Sequence, residues 1–209
     1  GDAITEGHSN VAVGYQALST NVDGDGNTAV GYSALFALEP ANGLTYNTGI
    51  GYNSGVNVTT GTQNTLLGAD SGKSLTTGGN NVAIGFEALA AEDEHSFNVA
   101  VGHRALKTQN AGASAYNTAV GYNAGLSVTT GTENVLIGGL TGDALTTGIE
   151  NTAIGHQALS AAQTSHANVA IGHQSLAMQS ADGYTFNTAV GYNSGQQVTS
   201  GSQQVLIGA

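Results

Sequence analysis

One six-residue element recurs along the whole chain at nearly constant spacing, and this regularity constrains the fold more than anything else in the sequence. The element reads Asn-(Val/Thr)-Ala-(Val/Ile)-Gly-(Tyr/His/Phe), and its asparagine stands at Asn10, Asn27, Asn47, Asn64, Asn81, Asn98, Asn117, Asn134, Asn151, Asn168 and Asn187. Gln204 takes the twelfth slot. The intervals are 17, 20, 17, 17, 17, 19, 17, 17, 17, 19 and 17 residues. A unit this short buries nothing alone and must stack on its neighbours, which is the behaviour of a solenoid. The extra residues fall in EPANGLTY, QNAGASAY and SADGYTF, so the larger period is four coils, or about 70 residues. The chain therefore reads as a single repeat domain of three units, about 1–73, 74–143 and 144–209. Coil type is periodic as well: the first two coils of a unit read like AVGYQAL, the third like AVGYNAG, and the fourth like LIGGLTG.

Three residues after each asparagine stands an aliphatic side chain without exception: Val13, Val30, Ile50, Leu67, Ile84, Val101, Val120, Ile137, Ile154, Ile171, Val190 and Ile207. A short β-branched segment ended by glycine is a strand entering a turn. Constant spacing then places successive strands about 4.8 Å apart in a parallel ladder. The expected fold is all-β, a parallel β-solenoid of about twelve 17-residue coils. The aliphatic column is expected to be its core, with the Val/Thr column two residues earlier on the same face. The intervening alanines, such as Ala12, Ala29, Ala83 and Ala100, are expected to form a close contact with another chain. The asparagines read as an amide ladder, each side chain bonding its counterparts above and below. FEALAAEDEH and HQALSAAQTS have helix-favouring composition and leave single helical turns open as an alternative to strand. The first asparagine comes only at residue 10 and the last coil stops at VLIGA, so the sequence reads as a stretch of a longer fibre able to stack end to end.

Composition narrows the partners. Hydrophobic residues make up 40% and charged residues 8% of the chain, which fits neither a charge-rich disordered segment nor a membrane span. Lys73, Arg104 and Lys107 are the only basic residues against 14 carboxylates, giving a net charge of −11. Nucleic acid and membrane insertion are therefore not expected. With no cysteine there is no disulfide or thiol chemistry.

The tandem NVAVGYQAL, NTAVGYSAL, NVAIGFEAL, NTAVGYNAG and NTAIGHQAL motifs resemble the β-roll head repeats of trimeric autotransporter adhesins, and resemble still more the repeats of phage and bacterial tail-fibre proteins. The resemblance covers essentially the whole chain. It implies a left-handed solenoid, a homotrimer of parallel chains around a common axis, a place on a virion surface or outside the cell, and attachment to a host or surface through a glycan or protein. The coils here are longer than those of adhesin heads.

Chemistry-bearing residues give weaker signals. The position after the glycine forms a column of Tyr15, Tyr32, Tyr52, Phe86, His103, Tyr122, His156, His173 and Tyr192, interrupted by Ala69, Gly139 and Ala209. It reads as a packing stack, with a metal held between His156 and His173 on adjacent coils, or by one histidine from each of three chains, as the alternative. His8, His95 and His166 have no repeat-related partner and are expected to be solvated, as is the run Glu92, Asp93, Glu94. NVDGDGN at 21–27 begins like a calcium loop but lacks the closing glutamate, so an Asp-Gly turn is expected. The VTTG and LTTG pairs, Thr59-Thr60, Thr76-Thr77, Thr129-Thr130 and Thr146-Thr147, offer an interrupted hydroxyl array of the kind that binds ice. Asn57-Val58-Thr59 is a weak glycosylation signal. No nucleophile elbow, phosphate loop or H-E-x-x-H occurs. The sequence therefore points to a structural or adhesive fibre segment without enzyme activity or cofactor, and to an ice- or glycan-binding solenoid as the other class.

Overall fold

The computed structural model describes residues 1–40, 43–112 and 114–208. They form a parallel β-solenoid with no helix. Each coil contributes one three-residue strand, from Val11–Val13, Thr28–Val30 and Thr48–Ile50 through to Thr188–Val190 and Val205–Ile207. The twelve strands form a single parallel sheet in sequence order. At about 4.8 Å per strand this ladder is about 53 Å tall. Register never slips, because the pairing always joins the same repeat positions: Val120 opposes Ile137 across a 17-residue coil, and Val30 opposes Ile50 across the 20-residue one. The extra residues of the long coils leave the sheet undisturbed. In the first and third units they add a small side ladder, Gly24–Asp25 with Gly43–Leu44 and Ser165–His166 with Gly183–Tyr184. Ala41, Asn42 and Ala113 of the insertion segments, and Ala209 of the aromatic column, lie outside the described residues.

The segments with helix-favouring composition form no helix, and apart from Ser165 at the end of the second they form no strand either. Six and eight residues after the asparagine the backbone turns left-handed, as at Glu87 and Leu89 (φ 52° and 51°) and at Gln157 and Leu159 (φ 56° and 54°). A helix cannot tolerate that alternation. Each such non-glycine residue costs roughly 1–2 kcal/mol, and bonds to both neighbouring coils hold it in place. Leu89 N–H donates to Ala105 O at 3.0 Å and Glu87 N–H to Ala69 O at 3.0 Å. At the strand end glycine is required outright. Gly85 has φ +133°, and a Cβ there would stand 2.4 Å from the carbonyl oxygen of Gly102.

The inside and outside of the strands are the reverse of the sequence expectation. The middle residue of each strand points inward: Ala29, Ala83, Ala100, Ala119, Ala153, Ala170, Ala189, Leu66 and Leu136 are completely buried. The aliphatic column points outward, with Val13, Leu67, Ile137, Val190 and Ile207 exposed and Val30, Ile50, Ile84, Val101, Val120, Ile154 and Ile171 half-buried. Strand alternation puts the two larger columns on one face and the alanines on the other, but does not say which face is inside. Interior width decides it. Eight residues after the asparagine, Leu18, Leu35, Leu89, Leu106, Leu159 and Leu176 reach across the coil, fully buried, and leave room for only a methyl group on the strand.

Where that leucine is replaced by glycine, the space passes to a neighbour. A Cβ on Gly125 would stand 2.8 Å from Leu136 Cδ1 and 3.0 Å from Leu106 Cδ2, so leucines from the coils on either side fill the gap. Gly55 stands in the same relation to Leu66 and Leu35. The four-coil period is thus a packing period, in which large and small residues alternate so that each layer interlocks with the next. A third inward column, eleven residues after the asparagine, adds Leu38, Val58, Leu75, Val128, Leu145 and Ala162 to the core.

The asparagines line the interior corner. Asn134 Oδ1 accepts the backbone N–H of Asn151 at 3.0 Å, and its Nδ2 donates to Asn117 Oδ1 at 3.1 Å and to Gly148 O at 2.9 Å. The same pattern joins Asn47, Asn64 and Gly78. Outside the second coil of each unit, where Asn27, Asn98 and Asn168 stand, each side chain ties the start of its own coil to a carbonyl fourteen residues on, and all hand a bond to the next coil. Backbone N–H groups supply more of the rungs than side-chain amides do.

Candidate functional site

Because alanine and leucine fill the interior, the sheet's larger columns face outward. Val and Thr one residue after the asparagine, the aliphatic column, and the aromatic column two residues beyond that all lie on this face. The residue just before the asparagine adds Tyr46, Phe97, Tyr116 and Phe186, each left-handed and about half exposed. Among the described residues of these four columns, the carboxylates are Glu133 and Glu150 and there is no Lys or Arg. The rings after the glycine stack in three groups, one per unit: Tyr15–Tyr32–Tyr52 at 5.2 and 5.3 Å, Phe86–His103–Tyr122 at 5.5 and 5.2 Å, and His156–His173–Tyr192 at 5.4 and 5.0 Å. The small residues Ala69 and Gly139 separate them.

The stacking disposes of a metal between His156 and His173. Their planes are nearly parallel, 15° apart, and imidazole lone pairs lie in the ring plane, so the nitrogens aim side by side and do not converge.

A different group does converge, where the sequence indicated only a solvated run. Glu92 is completely buried and His95 nearly so, with Glu92 Oε1 2.6 Å from His95 Nδ1 and Asp93 Oδ1 3.8 Å from the same nitrogen. Glu92 occupies the third inward column, eleven residues after Asn81, which is why it turns inside while Glu94 does not. Burial raises the Glu92 carboxyl above its ordinary range, and the hydrogen bond from His95 opposes this in part. His166 is also engaged, its Nδ1 accepting the N–H of Ile149 at 3.1 Å; only His8 is as solvated as expected.

The remaining motifs resolve into local structure. Asn21 Oδ1 accepts the N–H of Gly24 at 2.9 Å, which makes the calcium-like segment an Asn-initiated turn. The first threonine of each paired motif spends its hydroxyl on the next coil: Thr59 on Thr76 O, Thr76 on Asp93 O, Thr129 on Thr146 O and Thr146 on Gln163 O. The second threonine of each pair, Thr60, Thr77, Thr130 and Thr147, is exposed. Arg104 and Lys107 both close on Glu87 Oε2, at 2.8 and 2.7 Å, and these contacts hold the Glu87 carboxyl below its ordinary range. Among the described residues no helix is long and apolar enough to cross a membrane. The chain matches no protein-family model, no curated protein and no solved structure.

Proposed function

We propose that this chain is a structural and adhesive fibre segment, of the tail-fibre kind its repeats resemble, working on a virion surface or outside the cell to hold an attachment point away from its base. The observation that carries the reading is the outward sheet face. Its four columns span about six residues, or roughly 20 Å, over a height of about 53 Å, a strip on the order of 1,000 Å² in which aliphatic and aromatic side chains are interspersed with Thr, Gln63, Asn80, Glu133 and Glu150. Monomeric proteins rarely expose a contiguous apolar patch beyond about 300–600 Å². A stable interface buries about 800 Å² per partner.

A second copy of this chain fits the strip best, because it repeats at the same interval along its length and brings only the two carboxylates Glu133 and Glu150 and no Lys or Arg to the contact. Three parallel copies, each offering this face toward a shared axis, form a non-catalytic rod. The glycan or protein it attaches to is met by other surfaces. The adhesin-head reading rests on the same face and differs only in the owner.

Light scattering tests the assembly. The expected mass is three times the 20.7 kDa of the chain. Ile154→Asp, on the outward face, is expected to stay folded and become a monomer. Leu159→Asp, in the interior, is expected to unfold the chain. A wild-type chain that stays monomeric and stable at micromolar concentration refutes the assembly, and failure of the rods to bind any cell surface or glycan array refutes the adhesive role.

A further inference from the structure

We propose that Glu92, Asp93 and His95 form a binding site for a divalent transition-metal ion of the zinc class. The three residues offer two carboxylate oxygens and one imidazole nitrogen that all lie within 4.8 Å of one another. Two ligands of a tetrahedral zinc, each about 2.0–2.2 Å from the metal, stand a little over 3 Å apart. The Glu92 and Asp93 oxygens lie 2.6 and 3.8 Å from His95 Nδ1, so small rotations in opposite senses bring both to that separation.

The buried carboxylate is only partly partnered, as is the amide of Asn98, the asparagine of the next coil, whose Nδ2 has no partner among the described residues. Glu92 is completely buried, and its other oxygen, Oε2, has no hydrogen-bond partner among the described residues. Charge agrees with this. Glu92 is the buried carboxylate of the pair, Asp93 keeping much of its side chain in water, and a divalent cation offsets the charge whose burial is costly while drawing a second ligand from Asp93. The imidazole in the donor set favours zinc or its neighbours over calcium and magnesium, which take oxygen ligands.

The coil does not need this carboxylate for packing. The equivalent inward slot holds Asn21 in the first unit and Ala162 in the third, both completely buried, while the slot of His95 holds Gly24 and Ser165. Glu92→Ala therefore installs a residue that the same solenoid already accommodates.

The test adds zinc chloride alone to the chelator-treated chain and follows both thermal unfolding and calorimetric binding. The expected result is one ion per chain and an upward shift in Tm, with calcium and magnesium giving neither. Glu92→Ala and His95→Ala are expected to fold, by circular dichroism, and to lose both the ion and the shift. His156→Ala is expected to keep them, which separates this site from the outer histidine stack. No saturable binding by the wild-type chain overturns the proposal, as does binding that survives in Glu92→Ala; if that variant does not fold, survival in His95→Ala decides in the same way.

Discussion

The interlock between the strand's middle residue and the residue six positions on can be taken apart by a double-mutant cycle in one coil. Leu136 is completely buried and reaches into the space left by Gly125 and Gly142. Leu136→Ala alone removes a fully buried side chain that its neighbours are too rigid to replace, at a cost of about 2–5 kcal/mol. Gly142→Leu alone places a side chain where a Cβ already stands 2.9 Å from Leu136 Cδ2, at a backbone φ of +54°. Overpacking costs roughly 1–3 kcal/mol, and the left-handed conformation about 1–2 kcal/mol more. If the two effects were independent, the double variant would lose about 4–10 kcal/mol, as much as the whole stability of an ordinary domain. Together, however, the substitutions convert this coil to the type of Ala153 with Leu159, which the same solenoid packs without voids. The double variant refills the Gly142 space but not the Gly125 space that Leu136 also occupies, so it is expected to lose about 1–2 kcal/mol of backbone strain, as Leu159 already bears at φ 54°, plus only part of the roughly 2–5 kcal/mol cavity cost, well short of the sum. Urea or thermal unfolding followed by circular dichroism gives the three values. A double variant as unstable as the two singles summed would show that the residues are not exchanging one volume, and the packing account of the four-coil period would fall.

Other substitutions probe the corner and the charged groups. Asn134→Ala leaves the N–H of Asn151 and the carbonyl of Gly148 without their bonds inside the coil, and is expected to cost about 2–6 kcal/mol in urea unfolding at 1–3 kcal/mol per unsatisfied group. Glu87→Gln is expected to cost about 0.5 kcal/mol at pH 7, since Arg104 and Lys107 are partly exposed. Because the Glu87 carboxyl is held below its ordinary value of 4.5, that stability is present above 4.5 and lost as pH falls below it, so the variant and wild type should converge in acid. Glu92 has the opposite sign. Its folded value lies above the ordinary 4.5, so the wild type loses stability as pH rises from there through the folded value; in metal-free buffer Glu92→Gln should gain on it across that window and match it below.

Much of the solenoid could be read directly from the repeat. Twelve equally spaced aliphatic-glycine pairs fix strand position, parallel pairing and register, because any other arrangement would break a column. What the columns do not fix is which face is inside. Val, Ile and Leu carry more apolar surface than Ala, so hydrophobicity alone favours Val13 or Ile154 for the core. The deciding quantity is the width of the coil, which is set by Leu18, Leu35 and their counterparts on the opposite wall. One signal in the sequence does report it. In first and second coils alanine on the strand goes with leucine six residues later, and in fourth coils leucine on the strand goes with glycine there. Two positions that trade volume in this way touch each other, so the alanine column must face the leucines across the interior. Glu92 escaped the reading for a related reason. Beside Asp93 and Glu94 it looks like one charge in a solvated run, and its inward direction follows only once the third inner column is recognised through Leu38, Val58 and Leu75. The same column shows that packing does not dictate the choice of residue there, since one slot holds an amide in Asn21, a carboxylate in Glu92 and a methyl in Ala162. Glu92 Oε1 accepts the backbone N–H of His95 at 3.3 Å, as Asn21 Oδ1 accepts that of Gly24 at 2.9 Å, so an amide and a carboxylate both serve the turn that this slot begins, while the histidine beside the carboxylate occurs in one unit alone.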